Sequence, residues 1–294
     1  MYRQLTVGIV IPVYNRWDLT FRCVSQILKF DNQLIDKVLL VDDCSPVSNP
    51  YEFDEIVKIL RNQVNSGYVK TVNNGFKSID TDIVILLDSD AYPTHPFVKQ
   101  LIESYNAEED LGFIGFKTVN EFGEDTGNFS YEPSLWELLL GQKMSSYLLK
   151  FKKKKNIIPY SCAVSIRKKC LDELGIYDEQ FKFLDGDFDH CMRIHRSKWK
   201  LIYDPKIEIY HVGGESIGRN SKRVLMYYES RWLLLKKYNK LGIHIVSKYL
   251  IISRLLIEFI FLIIFGKLII KDCAVLDDKK TGRIKLISFC LANY

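Results

Sequence analysis

The sequence predicts an α/β fold, a doubly wound and mostly parallel sheet followed by a helical C-terminal extension. Three observations carry this. Short continuous apolar runs, such as Val7-Gly8-Ile9-Val10-Ile11 and Ile83-Val84-Ile85-Leu86-Leu87, suit strands buried on both faces. They alternate with helical stretches, and parallel neighbours need such crossovers. The first four strand candidates also end in polar or charged residues, where open α/β sheets bind ligands.

Taken in order, the strand over 7–12 closes on Pro12, Tyr14 and Asn15, and a helix is expected over 18–29. Val38-Leu39-Leu40-Val41 runs into Asp42-Asp43, and 56–60 is a third strand ending at Arg61-Asn62. Helical periodicity over 68–79 leads to the strand before Asp88-Ser89-Asp90; a helix over 97–105 and a strand over 111–119 follow. The pattern then weakens over 120–156, with Gly123, Gly127, Pro133, a short amphipathic helix near 135–140 and a run from Lys152 to Lys155. Irregular segments of this length are more often functional than structural, so a mobile insertion beside the ligand site is expected. A strand over 157–166, a helix over 167–174 and two short strands over 201–203 and 207–210 complete the α/β part. Residues 227–240 read as helix, 249–270 as the most hydrophobic stretch, and 272–283 as an exposed polar tail.

With 294 residues, 47% hydrophobic and 26% charged, the chain has the make-up of one large globular domain with an appendage. The net charge of +5 is concentrated late, in the lysine run and in Lys198, Lys200, Arg219, Lys222, Arg223, Arg231, Lys236, Lys237 and Lys240. No nucleic-acid motif accompanies it, so a solvated basic face and attraction to anionic lipid are the two readings that stay open. Within 249–270, Arg254, Glu258 and Lys267 make a membrane span costly, which leaves an interfacial helix or a buried packing helix. Arg254 and Glu258 stand four apart and can pair on one helix face. Seven scattered cysteines without a Cys-x-x-Cys pair indicate a reduced chain, and a start that leads straight into a core strand is expected to hold no signal peptide.

Asp88-Ser89-Asp90 sends two carboxylates out of the end of a buried strand. A divalent cation shared with a diphosphate needs hard oxygen ligands in such a place. Alone, the triplet is better explained by a turn that stops the strand and caps the next helix. The ordered set around it decides.

Pro12-Val13-Tyr14-Asn15-Arg16, Val41-Asp42-Asp43-Cys44-Ser45, Asn65-Ser66-Gly67 with Asn73-Asn74-Gly75, Asp88-Ser89-Asp90, Gly175-Ile176-Tyr177-Asp178-Glu179, Asp187-Phe188-Asp189 with Arg193, and His211 with Gly213-Gly214 stand in sequence order. Over residues 5–216 the chain resembles a family-2 glycosyltransferase of the GT-A, Rossmann-like fold, of the bacterial surface-polysaccharide and rhamnosyltransferase-like type. The resemblance implies a catalytic domain over 1–218, with a nucleotide-sugar half (1–119) and an acceptor half (120–218), then a basic, hydrophobic extension over 219–294 that associates with membrane. It implies an inverting, Mg²⁺- or Mn²⁺-dependent transfer from a UDP- or dTDP-sugar to a glycan acceptor, polyprenyl-diphosphate-linked in one version. The place would be the cytoplasmic face of the inner membrane, in O-antigen or capsule assembly.

By the same resemblance, Pro12, Tyr14, Asn15, Arg16, Asp43, Asn65, Gly67, Lys70, Asp88 and Ser89 would contact the nucleotide-sugar, Asp43 at the base and Asp88 at the ribose. Asp90, Asp88 and His211 would hold the metal, and Asp187 would be the base that takes the acceptor hydroxyl's proton. Two departures stand out. Gly186 replaces the acidic residue that relatives carry before the catalytic aspartate, which leaves Asp185 as a substitute base. Val72 stands where many relatives carry Arg, leaving Lys70, Arg219 or Lys222 to meet the phosphates. Asp189 and Arg193 read as a structural ion pair, Trp199 as core, Trp136 as core or sugar platform, and Ser161 and Cys162 as small residues beside the acceptor. Two rivals remain: a nucleotidyltransferase, whose Gly-rich phosphate loop is not found near Pro12, and a catalytically silent glycan-binding or membrane scaffold of the same fold.

Overall fold

The computed structural model describes residues 5–148, 156–182, 184–211 and 221–293. In chain order its elements are β1 (Val7–Val13), α1 (Trp17–Asp31), β2 (Lys37–Asp42), β3 (Val57–Arg61), α2 (Tyr68–Ser78), β4 (Ile83–Leu87), β5 (Ala91–Pro93), α3 (Val98–Ala107) and β6 (Leu111–Val119). Then come β7 (Phe129–Tyr131), α4 (Trp136–Leu140), α5 (Gln142–Leu148), β8 (Ile157–Pro159), β9 (Ala163–Arg167), α6 (Lys168–Leu174), α7 (Gly186–Ile194) and β10 (Lys200–His211). The last helices are α8 (Ser221–Lys237), α9 (His244–Ile264), α10 (Gly266–Ile269) and α11 (Cys273–Asn293). Contacts group them into two units, 1–132 with 154–213 and 133–153 with 214–294.

The first unit is built on an eight-stranded sheet in the order β3-β2-β1-β4-β9-β6-β10-β5. The predicted alternation makes its first half parallel: β1 lies between β2 and β4, and β3 adds to β2. All seven residues of β1 and all five of β4 are buried, as their unbroken apolar runs require. Each such Ile or Leu contributes roughly 1.5–3 kcal/mol by leaving water. The second half departs from parallel. β9 runs antiparallel to both β4 and β6, and β5 runs antiparallel to β10. The fold is GT-A with a mixed sheet.

Three sequence expectations need correction. Residues 157–166 are two strands, because Pro159 has no N–H to continue a ladder and the halves take different partners, β7 for β8 and the main sheet for β9. Residues 201–203 and 207–210 belong to one strand, β10, whose register slips between Asp204 and Glu208, around Pro205. Residues 272–283 are largely exposed, as expected, but they are no tail: they open the helix α11, which buries Leu276 here and Leu286 and Cys290 further on.

The second unit is helical. Leu138 of α4, Trp232 and Leu235 of α8, Ile251 and Leu255 of α9, and Leu286 of α11 share one apolar cluster. Part of the segment read as an irregular insertion therefore supplies a core helix here. Arg231, nearly buried, meets Glu137 at 2.7 Å, and the Tyr227 hydroxyl donates to the same carboxylate at 3.0 Å. A buried charge needs such a partner. The Arg254–Glu258 pair forms at 2.6 Å, as their spacing predicts. No helix among the described residues is long and apolar enough to cross a membrane.

Candidate active site

The site gathers at the carboxyl ends of the central strands because the register puts them there. Val13 pairs with Asp42 and Val10 with Leu86, so the loops after β1, β2 and β4 emerge together. The Asp43 amide donates to the Val13 carbonyl at 2.8 Å, and the Asp88 amide to the Cys162 carbonyl at 3.0 Å. Antiparallel β9 thus brings its entry residues, Ser161 and Cys162, to the end of β4.

Asp88, Asp90 and His211 form a cluster in which one ligand atom from each lies within 4.8 Å of the others. The device that assembles it is β5. This three-residue strand follows Asp90 directly and pairs Ala91 with His211, which sets Asp90 Oδ1 3.4 Å from His211 Nε2. Tyr92 and Tyr210 stack at 4.6 Å behind the pair, with the Arg22 guanidinium 4.6 Å from the Tyr92 ring. Burial, with the Asp90 charge beside it, pushes the Asp88 carboxyl up to about 6, against the opposing pull of His211 and of the Tyr68 hydroxyl. Burial also works against charge at Asp90, but the hydrogen bond and charge of His211 outweigh it and hold that carboxyl below its ordinary value. Burial would lower the His211 imidazole, yet Asp90 and Asp88 together raise it. Two hard carboxylates and an imidazole, crowded and partly desolvated, match the donor set of Mn²⁺ or Mg²⁺. The residues fit the metal.

Asp43 is buried and held on three sides. Oδ1 accepts from the Asn62 amide at 2.9 Å and from the Ser66 N–H at 2.7 Å, and Oδ2 accepts from the Gly67 N–H at 2.8 Å. Gly67 reaches this position at φ 84, which a side chain would strain. The carboxylate Oδ2 keeps one lone pair for an outside N–H. The Asn65-Ser66-Gly67 motif therefore aims Asp43 through the backbone N–H groups of Ser66 and Gly67, while the Asn65 side chain is exposed. In the loop after β1, Asn15 adopts φ 62 and donates its N–H to Ser45 Oγ at 2.8 Å, and its side-chain oxygen is buried without a hydrogen-bond partner among the described residues. Pro12 is buried inside β1, Tyr14 is exposed, and exposed Arg16 lies 3.3 Å from Asp18 while its charge also reaches Asp90.

The distal side is reached through Tyr68, which sequence reasoning passed over, and Ser161, which it read only as a small residue beside the acceptor. The Tyr68 hydroxyl, at the start of α2, donates to Asp88 Oδ1 at 2.9 Å and lies 3.1 Å from Ser161 Oγ. Ser161 donates its backbone N–H to Asp187 Oδ2 at 3.3 Å. One hydrogen-bonded chain, Asp88–Tyr68–Ser161–Asp187, so connects the metal cluster to the candidate base. Its one sequence signal is Tyr68 directly after the Asn-x-Gly turn. Asp187 sits in the first turn of α7, which favours an acidic side chain. Asp185 precedes that helix in a left-handed conformation, φ 65, and is buried. Gly186 sits close to α2: a Cβ there would lie 3.3 Å from Val69 Cγ2, so a larger residue would require that side chain to give by a few tenths of an ångström.

Asp189 is fully buried, and Arg193 meets it at 3.0 Å while donating to the carbonyls of Leu174, Gly175 and Ile176. The pair closes the end of α6 and carries α7 with it. Asp189→Ala removes the carboxylate that neutralises this guanidinium and leaves it the three carbonyls, at an expected cost of about 1.5–3 kcal/mol. Urea unfolding checks this, and a loss below about 1 kcal/mol would refute the role.

Lys70 is exposed on α2 and bonds to none of the cluster residues. Val72 is fully buried, so α2 turns that position into the core. Ser89 lies partly buried between the two aspartates. Trp199 is buried and donates its ring N–H to Glu173 at 3.0 Å, a structural role, while Trp136 is half exposed in the helical unit. Burial and the Asp88 charge push the Cys162 thiol well above its ordinary value, which makes it a poor nucleophile. Gly213, Gly214 and Arg219 lie outside the described residues, and Lys222 opens α8 in the other unit.

At the strand ends of this mixed sheet, two carboxylates and a histidine cluster where a divalent cation could be held, which marks a metal-assisted enzyme class. The family model described as glycosyl transferase family 2 matches residues 8–175, more than half of the chain. The chain belongs to glycosyl transferase family 2. It is 24% identical over 249 residues to a dolichyl N-acetyl-alpha-D-glucosaminyl phosphate 3-beta-D-2,3-diacetamido-2,3-dideoxy-beta-D-glucuronosyltransferase of Methanococcus voltae, covering 79% of this chain and 74% of that one. A pre-mycofactocin glycosyltransferase of Mycobacterium tuberculosis is 25% identical over 218 residues, 71% of this chain and 43% of its own length. Among solved structures, the mannosyltransferase PcManGT from Pyrobaculum calidifontis, in complex with GDP-Man and Mn²⁺, superposes with TM-score 0.56 at 13% identity, over 99% of this chain and 87% of that one. GalNAc-T7 with UDP, GalNAc and Mn²⁺ gives TM-score 0.55 at 17% identity, over 70% of this chain and 44% of its own. At these identities the superpositions bear on the fold alone.

Proposed function

We propose that the protein is an inverting, metal-dependent glycosyltransferase that moves a hexosyl or rhamnosyl group from a UDP- or dTDP-sugar to a glycan acceptor. The acceptor is carried on a polyprenyl diphosphate at the inner face of the membrane, in assembly of a cell-surface polysaccharide such as O-antigen or capsule. The observation that carries the reading is the Asp88–Asp90–His211 cluster tied by Tyr68 and Ser161 to a further carboxylate, Asp187. The relatives support it: the Methanococcus protein's name specifies a dolichyl-linked acceptor, and the two superposed structures hold a nucleotide and Mn²⁺.

In this reading residues 1–119 bind the donor, 120–218 the acceptor, and 219–294 form the extension. Asp43 Oδ2 accepts the N–H of the base, the loop from Tyr14 to Arg16 borders the nucleotide, and Asp88 faces the ribose. Asp90, Asp88 and His211 hold the cation, which when bound neutralises charge on the diphosphate as a Lewis acid. Asp187 accepts the proton of the attacking hydroxyl, with its Oδ2 oriented by the Ser161 N–H. Asp185 is the substitute if Asp187 proves structural.

A thermal-shift panel of UDP-, dTDP- and GDP-sugars, run with Mn²⁺ and then with EDTA, tests the reading. The true donor at a hundred times its Kd stabilises by about 2.7 kcal/mol, and EDTA removes the effect. A panel in which no nucleotide-sugar shifts the transition sinks the assignment.

A further inference from the structure

In the helical unit, α9 is turned opposite to an ordinary surface helix. Its charged side chains face inward: Arg254 donates to Glu258 at 2.6 Å and to the Tyr228 hydroxyl, and Arg283 of α11 reaches the same Glu258 at 3.1 Å. Ile251, Ile252 and Leu255 complete the buried side. The outer side is apolar. Val246, Leu250, Ile257, Ile260, Phe261 and Ile264 recur at helical spacing, and Ile257 and Ile264 are 68% and 62% exposed. The stripe runs on into α10, where Leu268 at 81% and Ile269 at 63% exposure stand between the exposed Lys267 and Lys271. A contiguous apolar surface of this kind marks an interaction site.

Charge selects the occupant. The unit carries nineteen Lys and Arg against seven Asp and Glu, whereas the rest of the chain carries twenty-two against twenty-nine. Two copies meeting through so basic a unit repel each other, and a neutral apolar partner leaves the lysines unused. An anionic lipid surface satisfies both features, because it offers acyl chains beneath phosphates.

We propose that the outer face of α9 and α10 docks on an anionic bilayer, lying in the headgroup plane with its apolar stripe sunk about 5–10 Å. Lys267 and Lys271 extend their stems along the apolar surface and place their ammonium groups at the phosphates. The proposal rests on the reading of a membrane-carried acceptor and deepens it by naming the surface that holds the enzyme there.

Co-sedimentation of the full chain with vesicles, of phosphatidylcholine alone or mixed with phosphatidylglycerol, tests it. The wild type is expected to bind the mixture, weakly to bind phosphatidylcholine, and to release as salt rises. Ile257→Asp with Ile264→Asp, both at exposed positions, lowers the bound fraction at least tenfold; Lys267→Glu with Lys271→Glu weakens binding to the mixed vesicles alone. Unchanged vesicle binding in the aspartate pair overturns the proposal. So does a lipid-free dimer of the wild type, seen by analytical ultracentrifugation, that the same aspartates dissociate. Transfer to a water-soluble acceptor, measured in parallel, is expected to be equal in all these variants; its absence in the wild type would strike the functional reading and leave the vesicle result standing.

Discussion

Asp187→Asn is expected to lower transfer by ~10³-fold or more while leaving the Kd for donor and Mn²⁺ within about twofold of wild type. The asymmetry follows from what the substitution changes. Asparagine keeps the size of the side chain and one oxygen, which can go on accepting from the Phe188 N–H (2.9 Å to Oδ1) at the start of α7, while the longer 3.3 Å bond from the Ser161 N–H to Oδ2 is given up. What it loses is the capacity to take a proton, which the acceptor hydroxyl must give up as it attacks. An interaction needed only in the transition state shows as lost kcat with unchanged binding. Isothermal titration with donor and metal, beside initial rates, reads both halves. Asp185→Asn is the control. Asp185 is buried and holds a left-handed backbone before α7, so its replacement is expected to lower stability more than rate. If the two variants exchange behaviours, Asp185 is the base and the departure at Gly186 has moved the chemistry by two residues.

The order of acidic strand ends was open to sequence reasoning because each follows an apolar run with a clear length, and a parallel alternation has few topologies. The assembly of the cluster was not. Asp90 and His211 meet through β5, a strand of three residues with no periodicity to detect. The direction of β9 was hidden as well, since an apolar strand buried on both faces carries no mark of whether its neighbours run with it or against it. Tyr68 illustrates a different limit. Its place after the glycine turn was visible, but its role depends on β9 bringing Ser161 across from a segment 93 residues away. The opposite case is Val72, read as a missing phosphate contact. Full burial on α2 shows that the helix presents this position to the core, where an arginine would need a partner that the fold does not provide. In α11 the charges of 272–283 masked a helix, because its buried residues, Leu276, Leu286 and Cys290, lie too far apart to form a compact apolar pattern.

Asp88→Asn should split function from stability. In wild type this carboxyl has its folded-state pKa raised to about 6, by burial first and by Asp90 second. A raised acid is one that the folded state prefers to protonate, so its charged form opposes folding. The opposition is full above pH about 6, fades as pH falls, and is gone below the ordinary carboxylate value, where folded and unfolded chains are both protonated. Asparagine removes that charge and keeps an oxygen for the Tyr68 hydroxyl, which donates to Asp88 Oδ1 at 2.9 Å. In EDTA at pH 8 the variant is therefore expected to be more stable than wild type by ~1–2 kcal/mol, after allowance for the partial exposure of the side chain. The difference should close as the pH approaches 4, near the ordinary carboxylate value. Adding Mn²⁺ reverses the ranking. The cation offsets the crowding of Asp88 and Asp90 in wild type and raises its transition temperature by mass action, while the variant, short of one hard oxygen charge, responds weakly and transfers sugar at a rate lower by ~10²-fold or more. Thermal unfolding with and without Mn²⁺ across that pH range decides the matter. A variant less stable than wild type in EDTA at pH 8 would show that the Asp88 charge supports the fold and would remove the physical reason for treating the cluster as a site kept under strain for a metal.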